Sequence, residues 1–190
     1  MTRRRGGGRL TVGRNCIAAG NGLSGGAAGV AAVVSVRCRD EYNEPATAGG
    51  DVVLVTMMPD GGPCTEAHVI DNTDGTYTCS YLPTFASDSC KVLVTVNGTR
   101  LVGSPFPAQV VPGRTHARAS EVFGHGLTDG VAGTPNYFTI QTKDPFGNRC
   151  VATTGHKDRF AIVVKPVLSL IPELETYLRK YEVRVLSGRI

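Results

Sequence analysis

GNGLSGGAAG, residues 20–29, returns as GHGLTDGVAG, residues 124–133, displaced by 104 positions. At the same displacement VVSVRCRDEYN (33–43) falls on YFTIQTKDPFG (137–147), with Asp40 on Asp144, and YTCSYL (77–82) falls on YEVRVL (181–186). Three matches at one displacement mean a duplicated unit. A period near 100 residues is domain-sized, beyond the roughly 20–50 residues of a solenoid repeat. A 190-residue chain has room for two such units. The glycines of G-x-G-L supply positive φ or close strand approach, so the motif reads as a bend into the next strand. It does not read as a dinucleotide loop, because the third glycine is misplaced and no helix follows.

Within the first unit, short apolar runs alternate with turn signals. Ala31–Val36, Asp51–Met58, Thr65–Asp71, Tyr77–Tyr81, Cys90–Val96, Arg100–Val102 and Phe106–Val111 read as seven strands. Pro59-Asp60-Gly61-Gly62, Asn72-Thr73-Asp74-Gly75 and Asn97-Gly98 separate three of them. Gly103-Ser104-Pro105 reads as a kink between the last two, since proline removes a ladder donor and fixes φ. Seven short strands in about 95 residues describe an antiparallel β-sandwich of immunoglobulin type. The abundance of glycine (24) and proline (11), with no tryptophan, agrees.

Charge narrows the function classes. The net +4 resides in Arg3, Arg4, Arg5 and Arg9; the remaining 16 Lys+Arg match 16 Asp+Glu. Residues 1–15 read as a disordered Arg/Gly-rich leader, and no basic face with aromatic or helical readers points to nucleic acid. GGAAGVAAVVSV is apolar enough for a signal-peptide core, but it starts late, ends in Arg37-Cys38-Arg39-Asp40 and has a strand counterpart at 137–140. No apolar run is long enough for a transmembrane segment, and the expectation is a cytoplasmic protein. The six cysteines (16, 38, 64, 79, 90, 150) lack C-x-x-C spacing and read as reduced structural thiols, with disulfides as the alternative.

The ordered series G-x-G-L-x-x-G-x-x-G, D-N-x-D-G-T-Y-x-x-x-Y-x-P-T and G-S-P-F resembles the filamin (actin-binding protein 280) repeat, an immunoglobulin-like domain. The resemblance covers residues 16–112, and in it G-S-P-F implies a switch from the sixth strand to the seventh, where the chain crosses to complete a sheet. After a linker (113–119), residues 120–190 open as an equally good second repeat and then depart from the pattern. Asp158–Val164 is a fair strand, but PELETYLRKYEVRV replaces the D-N-x-D-G-T turn, and nothing after Ile190 supplies the last strands. Leu170, Leu174, Tyr177, Leu178 and Tyr181, with Glu175 and Arg179 at i,i+4, fit a helical face as well as a strand. The second repeat is expected to be incomplete and the less stable of the two, its strands lacking edge partners, and the chain to be a fragment or a gene product cut short.

No catalytic constellation stands out. His68, His116, His125 and His156 are scattered, Ser87–Ser89 reads as a loop, and no G-x-S-x-G elbow occurs. Asp71 and Asp74 lack EF-hand spacing and read as turn residues. The expectation is a non-enzyme with no metal, cofactor or small-molecule substrate.

Function then lies in surfaces. The resemblance implies protein or extended-peptide partners that add a strand beside the third and fourth strands, with a groove drawn from Ala67, His68, Val69, Ile70, Thr78, Cys79 and Ser80. The alternative is that this edge faces water in a spacer domain. The family's actin binding rests largely on a calponin-homology head that has no counterpart here, so any actin association would be indirect. Tripartite-motif ubiquitin ligases also carry such repeats, but no RING or B-box pattern appears. The resulting expectation is a cytoskeletal or scaffolding interaction and spacer module. The runner-up is an extracellular adhesion fragment, for which the Asn97-Gly98-Thr99 sequon would carry a glycan unless it is simply the hairpin turn.

Overall fold

Alternation of buried valines with exposed residues along Ala32–Arg37 and Val53–Pro59 gives two strands that each turn one face inward, the pattern of a sandwich layer. The structure is a computed structural model and describes residues 10–131, 133–151, 158, 160–167 and 180–187. The chain divides into two units, the first ending at Val111 and the second starting at Pro112. Among the described residues there are strands and short 3-10 turns, and no α-helix.

In the first unit the strands are β1 (Ile17–Ala19), β2 (Gly25–Ala27), β3 (Ala32–Arg37), β4 (Val53–Pro59), β5 (Thr65–Glu66), β6 (His68–Asp71), β7 (Thr76–Tyr81), β8 (Ser87–Val96), β9 (Thr99–Arg100) and β10 (Phe106–Val111). One sheet runs β1-β3-β7-β6, and the other runs β2-β10-β8-β4-β5 with β9 attached to β8. All pairings are antiparallel except β2 with β10. Between the sheets lie Val34 and Val36 from β3, Val55 and Met57 from β4, Tyr77 and Cys79 from β7, and Val92, Val94 and Val96 from β8. Their near-complete burial removes a large apolar area from water, the main favourable term in folding.

The predicted strands are present, with corrections: Arg100–Val102 is not a strand, since β9 is Thr99–Arg100 and residues 101–102 lie outside it. Thr65–Asp71 is not one strand: it pairs with β4 through Thr65 and Glu66, then with β7 from His68 on. Ser87–Ser89 is not a loop but the start of β8, whose Ser87 is held opposite Val110. The Gly103–Pro105 kink stands between β9 and β10, and Ser104–Pro105 is cis. The chain does not cross to the other sheet there, because β9 and β10 both pair with β8. The Ser104 hydroxyl accepts the Val94 N–H (2.8 Å), filling the ladder position that the interruption vacates. The bonded segment also begins before Cys16. Val12 N–H donates to the Arg39 carbonyl (2.9 Å), and the Thr11 hydroxyl to Asp51 (2.9 Å).

In the second unit β11 (Glu121–Phe123) pairs with β12 (Thr139–Gln141), and β13 (Phe160–Val167) pairs with β14 (Lys180–Ser187). Residues 113–119 are bonded into this unit: Gly113 N–H donates to Asp144 and His116 N–H to the Lys143 carbonyl. The stretch from Tyr181 to Leu186 is strand, so the helical alternative fails there; Leu170, Leu174, Glu175, Tyr177, Leu178 and Arg179 lie outside the described residues.

The two openings share their turns and the bonds that hold them at the displacement of 104. Gly20 and Gly124 take φ of 126° and 130°, and each leads into a 3-10 turn, Asn21–Leu23 and His125–Leu127. Asp40 Oδ1 accepts the N–H groups of Tyr42 and Glu44 at 2.9 Å, as Asp144 Oδ1 accepts those of Phe146 and Asn148 at 2.9 Å. Both carboxylates are buried. This is an Asx turn, in which the side chain substitutes for a missing backbone partner.

Candidate functional site

β6 is an edge strand. It pairs with β7 on one side only, Val69 opposite Cys79 and Ile70 opposite Thr78. Ala67 N–H donates to the Val55 carbonyl of β4 (2.9 Å), and Asn72 N–H to the Thr76 carbonyl on the β7 side (3.0 Å). Backbone direction alternates along a strand, so between those two points Val69 and Asp71 turn their N–H and C=O groups away from β7. That row is a template for another strand. On the other sheet β5 covers only Thr56 and Met57 of β4 and Ala67 bonds Val55, leaving Val53 and Leu54 paired with β8 alone.

The seven expected groove residues divide between two faces. His68, Ile70, Thr78 and Ser80 share the solvent face of the sheet, His68 opposite Ser80 and Ile70 opposite Thr78. Ala67 and Val69 pack against the core. Cys79 is wholly buried, and that burial pushes its thiol up to about 11. It is a core residue and lines no groove. β7 is an interior strand between β3 and β6, so Thr78 and Ser80 sit one strand in from the open edge. The sequence reading passed over the edge of β4 at Val53 and Leu54. The signal for it was Ala67, whose place between two strand pairings brings the edges of the two sheets together.

The turn residues have structural partners. Asp71 accepts the N–H groups of Thr73 (2.8 Å) and Gly50 (2.5 Å), and Asp74 accepts the N–H and hydroxyl of Thr76 (2.9 and 2.6 Å). The Thr76 bonds hold the Asp74 carboxyl below its ordinary range. Asn97 is exposed at φ 50°; its amide oxygen accepts the Val52 N–H (2.9 Å) and its amide nitrogen donates to Asp51 (3.0 Å). All six cysteines are free thiols. Among the described residues no helix is long and apolar enough to cross a membrane.

A two-sheet sandwich of this topology defines the chain as an immunoglobulin-like β protein. The family model for the Filamin/ABP280 repeat matches residues 11–107, more than half of the chain. The chain belongs to the filamin repeat family, whose repeats are protein-interaction modules. It is 37% identical to Filamin-A of Drosophila melanogaster over 97 residues, which is 51% of this chain and 4% of that protein. It is 33% identical to the E3 ubiquitin-protein ligase TRIM71 of Rattus norvegicus over 99 residues, 52% of this chain and 12% of the ligase. The chain therefore spans a small fraction of the relatives it matches. In fold it also resembles invasin, a bacterial integrin-binding protein, with a TM-score of 0.53 at 16% identity over 96% of this chain and 36% of invasin's.

Proposed function

We propose that the chain is a non-enzymatic interaction and spacer module that binds extended segments of partner proteins by strand addition beside β6. The observation that supports it is the one-sided pairing of β6, with the backbone groups of Val69 and Asp71 turned outward. In such a complex main-chain bonds supply affinity, and His68 and Ile70, exposed on the same strand, read the partner's side chains. We further infer that residues 120–190 are the opening of a second repeat of the same family, on the strength of the turn and strand positions shared at a displacement of 104. The setting we propose is a cytoplasmic, cytoskeletal or signalling scaffold, with any link to actin made through other proteins.

The test is a selection of displayed random peptides on the whole chain, followed by amide exchange with the strongest binder present. Strand addition requires that Val69 and Asp71 amides gain protection, and that Val69→Pro abolishes binding in a chain that still melts cooperatively, at a midpoint lowered only by the lost packing of Val69 on the core. Proline is tolerated at an outward-facing edge position, where no ladder bond is lost. Ser80→Glu, one strand in, should weaken binding less. Binding that survives Val69→Pro would remove β6 as the site. A glycan on Asn97 of protein isolated from its native host would place the chain outside the cell and break the scaffold reading.

A further inference from the structure

The residues flanking β1 and β3 bring two sulfur atoms together. Ile17 stands opposite Arg37 in the antiparallel register, so the next pair outward is Cys16 opposite Cys38. The Cys38 N–H donates to the Gly75 carbonyl (2.9 Å) and its carbonyl accepts the Ala46 N–H (3.0 Å), both on the side away from Cys16. Cys16 and Cys38 thus form a non-hydrogen-bonded cross-strand pair. In such pairs the Cα atoms lie about 4.5 Å apart with side chains close. A disulfide accepts Cα separations of roughly 4.4–6.8 Å. Both thiols are buried, and each perturbs the titration of the other, as neighbouring sulfurs do.

We propose that Cys16 and Cys38 are a reversible disulfide site that staples the first strand of the sandwich to its neighbour. An internal comparison separates this from a structural role. At the displacement of 104, Ser120 and Thr142 occupy the two positions and are again opposite in register, next to Glu121 and Gln141. The Ser120 hydroxyl donates to the His116 carbonyl (2.9 Å) and accepts the Lys143 N–H (3.1 Å). Cys16 makes the same two bonds, its thiol to the Val12 carbonyl and from the Arg39 N–H, both at 3.4 Å. A hydroxyl therefore satisfies this corner of the fold. Sulfur at both positions adds apolar burial, which one cysteine at either place would also give, and the capacity to join, which takes both.

The chemistry balances with a small disulfide such as oxidised glutathione. The neighbouring Cys38 thiol, with help from the Arg39 N–H and guanidinium and against burial and Asp51, lowers the Cys16 thiol while Cys38 is raised, so Cys16 is the member of the pair that reacts as the thiolate. That thiolate attacks one glutathione sulfur and expels a glutathione thiolate. Cys38 gives its proton to solvent and attacks the Cys16 sulfur of the mixed disulfide, releasing the second glutathione thiolate. Two protein thiols are oxidised, and one glutathione disulfide is reduced to two thiols. Access comes through fraying of β1, three residues at the edge of its sheet.

The experiment takes the whole chain carrying Cys64→Ser, which removes the exposed thiol. The protein is incubated with oxidised glutathione, free thiols are blocked with N-ethylmaleimide, and the digest is read by mass spectrometry. The proposal requires a linked Cys16–Cys38 peptide pair and a rise of the melting midpoint on the order of 10 °C, reversed by dithiothreitol. Adding Cys16→Ser should lower the reduced protein's melting midpoint by no more than a few degrees, because Cys16 is a buried core residue, and should abolish both the link and the rise on oxidation. Recovery of Cys16 and Cys38 as separately blocked or separately glutathionylated residues would overturn it. So would a linked pair that leaves the melting midpoint where it was.

Discussion

Asp40 and Asp144 sit in the same turn, accept the same two backbone donors at the same distance, and are both buried, yet the surroundings of the two turns differ. Around the first stands a packed sandwich in which Val34 and Val36 are sealed from water. In the second unit, among the residues whose side chains are described, Asp144 is the one fully buried, and Phe138 and Ile140, at the positions of Val34 and Val36, are half-buried. The turn is local chemistry, fixed by an aspartate, a tight glycine bend and a few backbone bonds. The core is not local: β3 becomes buried only because β4, β7 and β8 arrive from 20 to 60 residues downstream.

The sharpest way to break that comparison is Tyr77→Ala. Tyr77 is 1% exposed, and its phenol oxygen accepts the Asp51 N–H at 2.7 Å. Its truncation should cost about 3–5 kcal/mol, a fall of more than about 12 °C in the melting midpoint of a domain this size. Amide exchange at Gly113 and Phe146 should be unchanged if the Asp144 turn stands on its own bonds. Loss of protection there in the same variant would make the turn dependent on the first core. A melting midpoint that barely moves would mean that the inward phase of β7 is misread.

Asp40→Ala should have a smaller effect. It leaves the Tyr42 and Glu44 N–H groups without their acceptor, at a cost of about 1–3 kcal/mol, seen as a lower denaturation midpoint at unchanged m-value. Asp144→Ala should free the equivalent amides of Phe146 and Asn148 and that of Gly113, and should leave the first unit's transition alone. A drop in the first transition from Asp144→Ala would contradict the separation of local from global chemistry.

The same distinction explains what could be read in the sequence. Period-two alternation exposed β3, β4, β7 and β8, because each has one wet and one dry face. β1 and β2 were missed because each is three residues long and β2 is Gly25-Gly26-Ala27, with no side chains to alternate. Ser87-Asp88-Ser89 carries turn residues, but its place as a strand is imposed by β10, which holds Ser87 opposite Val110. The candidate groove was misjudged in depth. Alternation marks Cys79 as buried, but only sheet order shows that β7 is interior and β6 the edge. The Cys16–Cys38 pairing likewise needs a register, which spacing in the sequence does not contain.

The smallest effect expected comes from acid acting on the second turn. Burial by itself would raise the Asp144 carboxyl, but the Asn148 amide and the N–H groups of Gly113, Asn148 and Phe146 outweigh it and hold the group below the ordinary carboxylate range. A carboxyl depressed in the folded state contributes stability that is complete above its unfolded value, about 3.9, and is lost as pH falls through the folded value. Gly113 and Phe146 amides should therefore stay protected at pH 5 and lose protection only below about pH 4, while Asp144→Asn flattens that profile. If protection instead fails near neutral pH, the hydrogen bonds to Asp144 do not outweigh its burial. The second turn would then need more than its own residues to hold it, and the contrast with Asp40 would rest on packing rather than on shared local chemistry.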